Sequence, residues 1–99
     1  MDEKRRTTVI IPNMNGMKYL DKCLQSLVSS DAEIIVVDNG STDGSLEMVS
    51  SNYPQVRLIR NSQNLGFCKA VNQGVAEADT EFVFLLNNDA YVSCHCIYY

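Results

Sequence analysis

Nothing in this chain is both long enough and apolar enough to lie across a membrane. The longest apolar runs, Ile34 to Val37 and Phe82 to Leu86, have the length of strands, against the ~20 residues a spanning helix needs. No secretory leader is expected: Met1 to Arg6 is polar and leads straight into a short apolar segment, without the longer hydrophobic stretch of a signal sequence. A cytoplasmic chain with no membrane span is expected. There is no basic stripe with interleaved aromatics. Eight Lys and Arg stand against twelve Asp and Glu for a net charge of −4, and three of the cations sit together at Lys4, Arg5 and Arg6. No nucleic-acid partner is expected, and an anionic ligand would need more than side-chain charge to neutralise it. No G-x-G-x-x-G follows the first strand and no G-x-x-x-x-G-K-[ST] occurs, which disfavours a dinucleotide fingerprint and a phosphate loop. The four cysteines, Cys23, Cys68, Cys94 and Cys96, are scattered and read as reduced thiols. Cys94-His95-Cys96 is too tight to close a metal site without a fourth ligand.

What remains is an ordinary globular composition, 45% hydrophobic and 20% charged over 99 residues. That is room for one domain, 1–99, with a polar leader at 1–6 and one modest core. Thr7 to Pro12 reads as a buried strand stopped by Pro12 and by the turn formers Asn13, Asn15 and Gly16. Leu20, Cys23, Leu24, Leu27 and Val28 then repeat at helical spacing, with Lys18, Asp21, Lys22 and Gln25 on the other face. Glu33 to Asp38 is a second apolar strand. Leu46, Val49 and Tyr53 mark a second helix ended by Pro54, Val56 to Arg60 a third strand, and Phe67, Ala70, Val71, Gly74, Val75 and Ala78 a third helical stripe. Glu81 to Leu86 is the fourth strand. The spacing predicts helices over 17–29, 44–53 and 66–78. Strand and helix alternate with short connections, so the fold class is α/β: three layers, α/β/α, around a four-stranded, mainly parallel sheet.

Ligands of open parallel sheets bind outside the carboxyl ends of the strands, and the unusual polar residues collect there. Pro12-Asn13-Met14-Asn15-Gly16 follows the first strand, Asp38-Asn39-Gly40 the second, Asn61 to Gly66 the third and Asn87-Asn88-Asp89 the fourth. Turn formation alone accounts for Asn, Asp and Gly after any one strand; four such loops on one rim point to a site. A flavodoxin-like receiver would also place an acidic residue where Asp38 stands. Its companion acidic cluster after the first strand is absent, because Pro12 and Asn13 occupy that place.

Four blocks in order resemble family 2 glycosyltransferases of the GT-A fold. They are Val9-Ile10-Ile11-Pro12 with Asn15 and Gly16; Ile35-Val36-Val37-Asp38-Asn39-Gly40-Ser41-Thr42-Asp43-Gly44; Asn64-Leu65-Gly66-Phe67 with Ala70, Asn72 and Gly74; and Leu85-Leu86-Asn87-Asn88-Asp89, at the family's DxD position. The Asn-Asn-Asp variant is most similar to rhamnosyltransferase-like members, and residues 92–99 lie outside the resemblance as an unmatched tail. The resemblance implies a partial GT-A, Rossmann-like sheet of strand order 3-2-1-4 and a nucleotide-diphosphate sugar as donor. Pro12, Asn13, Asn15, Asp38, Asn39, Gly66, Lys69, Asn87 and Asn88 would line the donor site. Lys69 reads first as a solvated surface lysine, and only second as a cationic contact to the donor. In that strand order Asp38 and Asp89 stand about 10 Å apart, two strand spacings. Asp38 would accept a hydrogen bond from base or ribose. Asp89, with Asn87, would hold a divalent metal, Mg²⁺ or Mn²⁺, against the pyrophosphate. Asn87 carries no charge, so weak metal affinity is implied, and Val71 stands where many members have Arg.

Transfer of the sugar needs a base within reach of the acceptor hydroxyl, and no residue qualifies. Asp38 and Asp43 belong to the nucleotide side, Glu77, Asp79 and Glu81 to the opposite rim, and His95 to the tail. The catalytic residue is left unassigned. The expectation is a truncated donor-binding portion that is not catalytically competent alone, or alternatively a non-catalytic nucleotide-binding or assembly module. An uncovered sheet edge near Phe82 and Phe84, with the aromatic tail Tyr91, Tyr98 and Tyr99, is expected to drive homo-oligomerisation.

Overall fold

A computed structural model describes residues 7–28 and 30–86. Its elements run β1 (Thr7–Asn13), α1 (Met17–Leu27), β2 (Glu33–Asp38), α2 (Ser45–Asn52), β3 (Arg57–Arg60), α3 (Phe67–Glu77) and β4 (Phe82–Leu85). The four strands form one sheet of order β3-β2-β1-β4, and every pairing is parallel. That is the expected α/β class and the expected order. A flavodoxin-like sheet, of order 2-1-3-4-5, would flank β1 with β2 and β3; here β4 takes that place, and the receiver reading falls.

A parallel strand covered on both sides needs apolar residues at consecutive positions, and β1 and β2 supply them. Val9, Ile11, Ile34 and Val36 face α1 and α2, where Leu20, Cys23, Leu24, Leu27, Val49 and Tyr53 complete one core. Ile10, Ile35 and Val37 face the other way, onto Ala70 of α3. Each fully buried aliphatic side chain contributes ~1.5–3 kcal/mol, and the central pair of strands carries most of them. The edge strand β3 is thinner: Leu58 and Ile59 are partly buried, while Arg57 and Arg60 are exposed.

Three sequence expectations shift. Pro12 does not stop β1, which runs on to Asn13 and pairs Pro12 with Val37. Parallel strands turn alternate residues to opposite neighbours. Asn13 O accepts from Asn39 N–H on the β2 side, and Ile10 O accepts from Leu86 N–H on the β4 side. Pro12 therefore turns its missing N–H toward β4, just past the register shared by Thr7 to Ile10 and Phe82 to Leu85, and leaves the bonds to β2 untouched. Second, α1 ends at Leu27, and Val28 is 51% exposed. Third, the stripe on α3 is narrower than its apolar residues suggested. Phe67 and Val75 are 52% and 48% exposed, while Ala70 and Gly74 are buried. The cause is close approach: a Cβ on Gly74 would stand 2.6 Å from Ile10 Cγ2, so α3 lies on the sheet along a line that admits only small residues.

Tyr53 ties the two helices of one face together. Its hydroxyl donates to Asp21 Oδ1 at 2.7 Å and to Asp21 O at 3.2 Å. Burial, and then the Asp21 carboxylate, push its pKa from 10.0 to about 12. The folded chain thus holds this proton where the unfolded chain has begun to lose it. The stabilisation is complete below pH 10 and disappears as pH rises toward 12. Urea unfolding at a series of alkaline pH values should show stability falling across that window. The fall should be clearly smaller in Tyr53→Phe, which should also lose ~1–2 kcal/mol at neutral pH; equal alkaline losses in both proteins would contradict the assignment.

Candidate functional site

The carboxyl ends of β1 and β2 meet at Asn13 and Asp38, which are register partners. Asp38 is 1% exposed, and Asn13 2%. A carboxylate so enclosed must be supplied with donors, and the loop that follows β2 turns back to do so. Asp38 Oδ1 accepts from Asn13 Nδ2 at 2.9 Å and from the Ser41 hydroxyl at 2.7 Å, and Oδ2 accepts from Ser41 N–H at 2.8 Å. Of the roughly four acceptor positions on a carboxylate, these three are taken, and one on Oδ2 is left. The turn passes through Gly40 at φ +89°, where a Cβ would also press on the Gln63 backbone at 3.1 Å, so only glycine fits.

A second set of bonds stitches this loop to the one after β1. Asn15 N–H donates to Ser41 Oγ at 2.8 Å, and Thr42 N–H donates to Asn15 Oδ1 at 2.8 Å. Asn15 itself sits at φ 53°, a left-handed conformation that Asn tolerates better than most residues. Asp43 completes the seam. Neither α1 nor α2 has a side-chain cap on its N-cap glycine, and Asp43 serves both helices. It accepts from Met17 N–H and Ser45 N–H, each at 3.0 Å, and from the Ser45 hydroxyl. Burial alone would raise its pKa, but the Ser45 hydroxyl and the Met17 and Ser45 N–H groups outweigh it, and the carboxyl is held below its ordinary value. Negative charge at two helix N-termini is favourable in itself.

Asn39, 5% exposed, faces the third loop. Its Nδ2 donates to Gly66 O at 3.3 Å, and its Oδ1 accepts from Asn61 Nδ2 at 2.9 Å and from Leu65 N–H at 3.4 Å. Gly66 precedes α3, and Lys69 is exposed on that helix's first turn. Among the described residues no buried side-chain N or O lacks a partner.

Of the residues expected to line a donor site, the structure brings Asn13, Asn15, Asp38, Asn39 and Gly66 to one rim, joined directly or through Ser41. Pro12 is half-buried within β1. Asn87, Asn88 and Asp89 lie outside the described residues, as do the tail and Tyr91. The β1–β4 ladder reaches as far as Leu86, whose N–H donates to Ile10 O at 3.0 Å. Among the described residues no group of three or more His, Cys, Asp or Glu could hold a metal ion. Glu77 lies at the other rim, beside Arg57 at 3.1 Å. Sequence reasoning left out the roles of Ser41, Asp43, Asn61 and Gln73. Asp43 had a signal: an acidic residue just ahead of a helix start is a capping pattern.

The family model described as Glycosyl transferase family 2 matches residues 8–98, and so takes in most of the stretch 92–99 that carries no matching motif. The uncharacterized glycosyltransferase YibD of Escherichia coli is 34% identical over 95 residues, covering 90% of this chain and 27% of YibD. The crystal structure of Staphylococcus aureus TarS 1–349 in complex with UDP superposes with a TM-score of 0.77 at 30% identity, over 87% of this chain and 28% of that one. Glucosyl-3-phosphoglycerate synthase of Mycobacterium tuberculosis, solved with Mn²⁺, UDP and glucosyl-3-phosphoglycerate, shares the fold with a TM-score of 0.72 at 21% identity, over 88% of this chain and 36% of that one. This chain spans between a quarter and two fifths of the length of these relatives.

If the Asp38 carboxylate organises the rim, Asp38→Asn should be costly despite its identical shape. One oxygen becomes a donor that must face either Ser41 N–H or the pair of donors on Oδ1. A loss of ~2–3 kcal/mol is expected in urea unfolding; an unchanged midpoint would show that the carboxylate does not hold these loops.

Proposed function

The chain belongs to glycosyl transferase family 2, and on that footing we propose that it is the nucleotide-diphosphate-sugar-binding part of a glycosyltransferase, one that passes a sugar to a glycan or other acceptor. The observation that carries the reading is Asp38, buried at the carboxyl end of β2, on the rim where parallel sheets bind ligands, with three of its roughly four acceptor positions filled by Asn13 and Ser41. That remaining position accepts a hydrogen bond from the base or ribose. The backbone of Asn15, Asn39 and Gly66 forms the walls, and Lys69 adds a cation on the diphosphate side. Uridine diphosphate is the first nucleotide to test, because TarS was solved with it.

A diphosphate placed against an acidic chain of net charge −4 needs a counter-charge. At ~4 Å and an effective dielectric near 20, one unit charge pair is worth about 4 kcal/mol before desolvation. Oxygen donors at Asn87 and Asp89 suit Mn²⁺ or Mg²⁺, and Leu86, next before them, already stands in the ladder beside Ile10. The ion would neutralise charge on the departing diphosphate. Asn88 belongs to the same segment. In the transfer itself the bond from the anomeric carbon to the diphosphate breaks, the acceptor oxygen bonds to that carbon, and the acceptor proton passes to a base. That base is left unassigned, and binding without efficient transfer by these 99 residues is part of the proposal.

Location and association complete it. No helix among the described residues is long and apolar enough to cross a membrane, and the cytoplasm is the proposed compartment. Among the described residues β4 pairs only with β1, and Phe82 on it is 47% exposed. Self-association through this edge or the following tail is proposed.

Titration calorimetry with UDP and other nucleoside diphosphates tests the reading. Weak binding that strengthens with Mn²⁺ is expected, lost in Asp38→Ala and in Asp89→Ala while circular dichroism stays native. Absence of binding by any diphosphate, or binding indifferent to both substitutions, would overturn it.

A further inference from the structure

Beside the Asp38 cluster lies a chain of three side-chain amides, and the nucleotide reading uses only the first, Asn39. Asn61 follows β3 directly, and its N–H extends the β2–β3 ladder by donating to Asp38 O at 2.8 Å. Its side chain forms a reciprocal amide pair with Gln73 in the second turn of α3. Asn61 Nδ2 donates to Gln73 Oε1, and Gln73 Nε2 donates to Asn61 Oδ1, both at 2.8 Å. The same Asn61 Nδ2 also donates to Asn39 Oδ1 at 2.9 Å.

Two backbone groups fix the direction of the whole chain. An N–H can only donate and a carbonyl can only accept. Asn39 must therefore turn Oδ1 to Leu65 N–H and Nδ2 to Gly66 O. Asn61 must then offer Nδ2 to Asn39, which leaves its Oδ1 for Gln73, and Gln73 must answer with Nε2. No amide can flip without losing a bond. The outer two are only half-buried, while Asn39 is 5% exposed, so the pair works from the surface of α3 inward onto the end of β2.

We infer that Asn61 and Gln73 are positioning residues for the donor site: acting through the Asn39 amide, they hold loop 61–66 and the first turn of α3 against the carboxyl end of β2. The inference rests on the nucleotide reading above. Its physical content is preorganisation. A loop already held in place costs nothing to order when the nucleotide arrives, whereas a loose one subtracts its ordering entropy from the affinity.

The test uses Gln73→Glu, which keeps the shape of the side chain but sets an oxygen against Asn61 Oδ1, together with Gln73→Ala. Without ligand, amide hydrogen exchange at Leu65 should quicken about tenfold in either variant, with β1 and β2 unchanged; unaltered exchange at Leu65 would overturn the lock. With ligand, affinity for UDP should fall about fivefold to tenfold in each variant. Gln73→Glu should have no further effect in an Asn61→Ala background, because the path is already cut. Equal losses in both backgrounds, or wild-type affinity in the Gln73 variants, would overturn the positioning role while leaving the nucleotide reading intact. Failure of the unaltered chain to bind any nucleoside diphosphate would instead overturn the nucleotide reading, and with it the role of the loop as a donor-site wall.

Discussion

A carboxylate sealed at the end of a parallel strand has to find its donors nearby, since an uncompensated buried charge costs several kcal/mol. Asp38 finds them in the residue beside it on β1 and in the residue three places on. Meeting that requirement bends the loop after β2 back upon itself, through a glycine at φ +89°, and brings Ser41 to where Asn15 can bond to it. The loops after β1 and β2 thereby become one body. Asp43 then anchors that body to the starts of α1 and α2, so the rim is tied to the helices that cover the sheet.

The sheet below provides the rigidity for this arrangement. β1 and β2 are buried on both faces, and α3 lies close enough to Ile10 that only glycine fits at position 74. Apolar packing fixes the height and spacing of the strand ends, while polar bonds fix the loops that leave them. The two kinds of interaction are spatially separate, as is common where a site is grafted onto a generic layered fold. Loop 61–66, leaving the edge strand β3, has no buried core of its own and depends on amide bonds to Asn39 and Gln73 for its place.

The sheet was legible in the sequence because doubly buried strands leave unbroken apolar runs and short polar loops between them, as in Ile34 to Val37. The strand order was not read from those runs; it came with the resemblance of the motif blocks. Misreadings arose where tertiary geometry overrides local signals. Pro12 is an ordinary strand breaker until its missing N–H is known to face away from β2. Phe67 and Val75 fit a helical stripe until Gly74 shows how near α3 comes to the sheet. Within the site, Asp38, Asn13, Asn15 and Asn39 were recognisable as polar residues at strand ends. Asn61 was recognisable in the same way, but what it, Ser41 and Gln73 do was not, because their roles lie in bonds to particular atoms, such as Asn61 to Asn39 over 22 positions. No periodicity encodes such a pairing.

On the proposed reading, a nucleotide is held at the carboxyl ends of β1 and β2 by groups the fold has already arranged. Mapping amide chemical shifts while titrating UDP in the presence of Mg²⁺ tests it most directly. The largest changes should fall at Asn13, Asn15, Asp38 to Ser41 and Leu65 to Phe67, with little change along the helical face that packs on Val36. Changes gathered instead at the opposite rim, around Arg57 and Glu77, or absent at saturating UDP, would contradict the account.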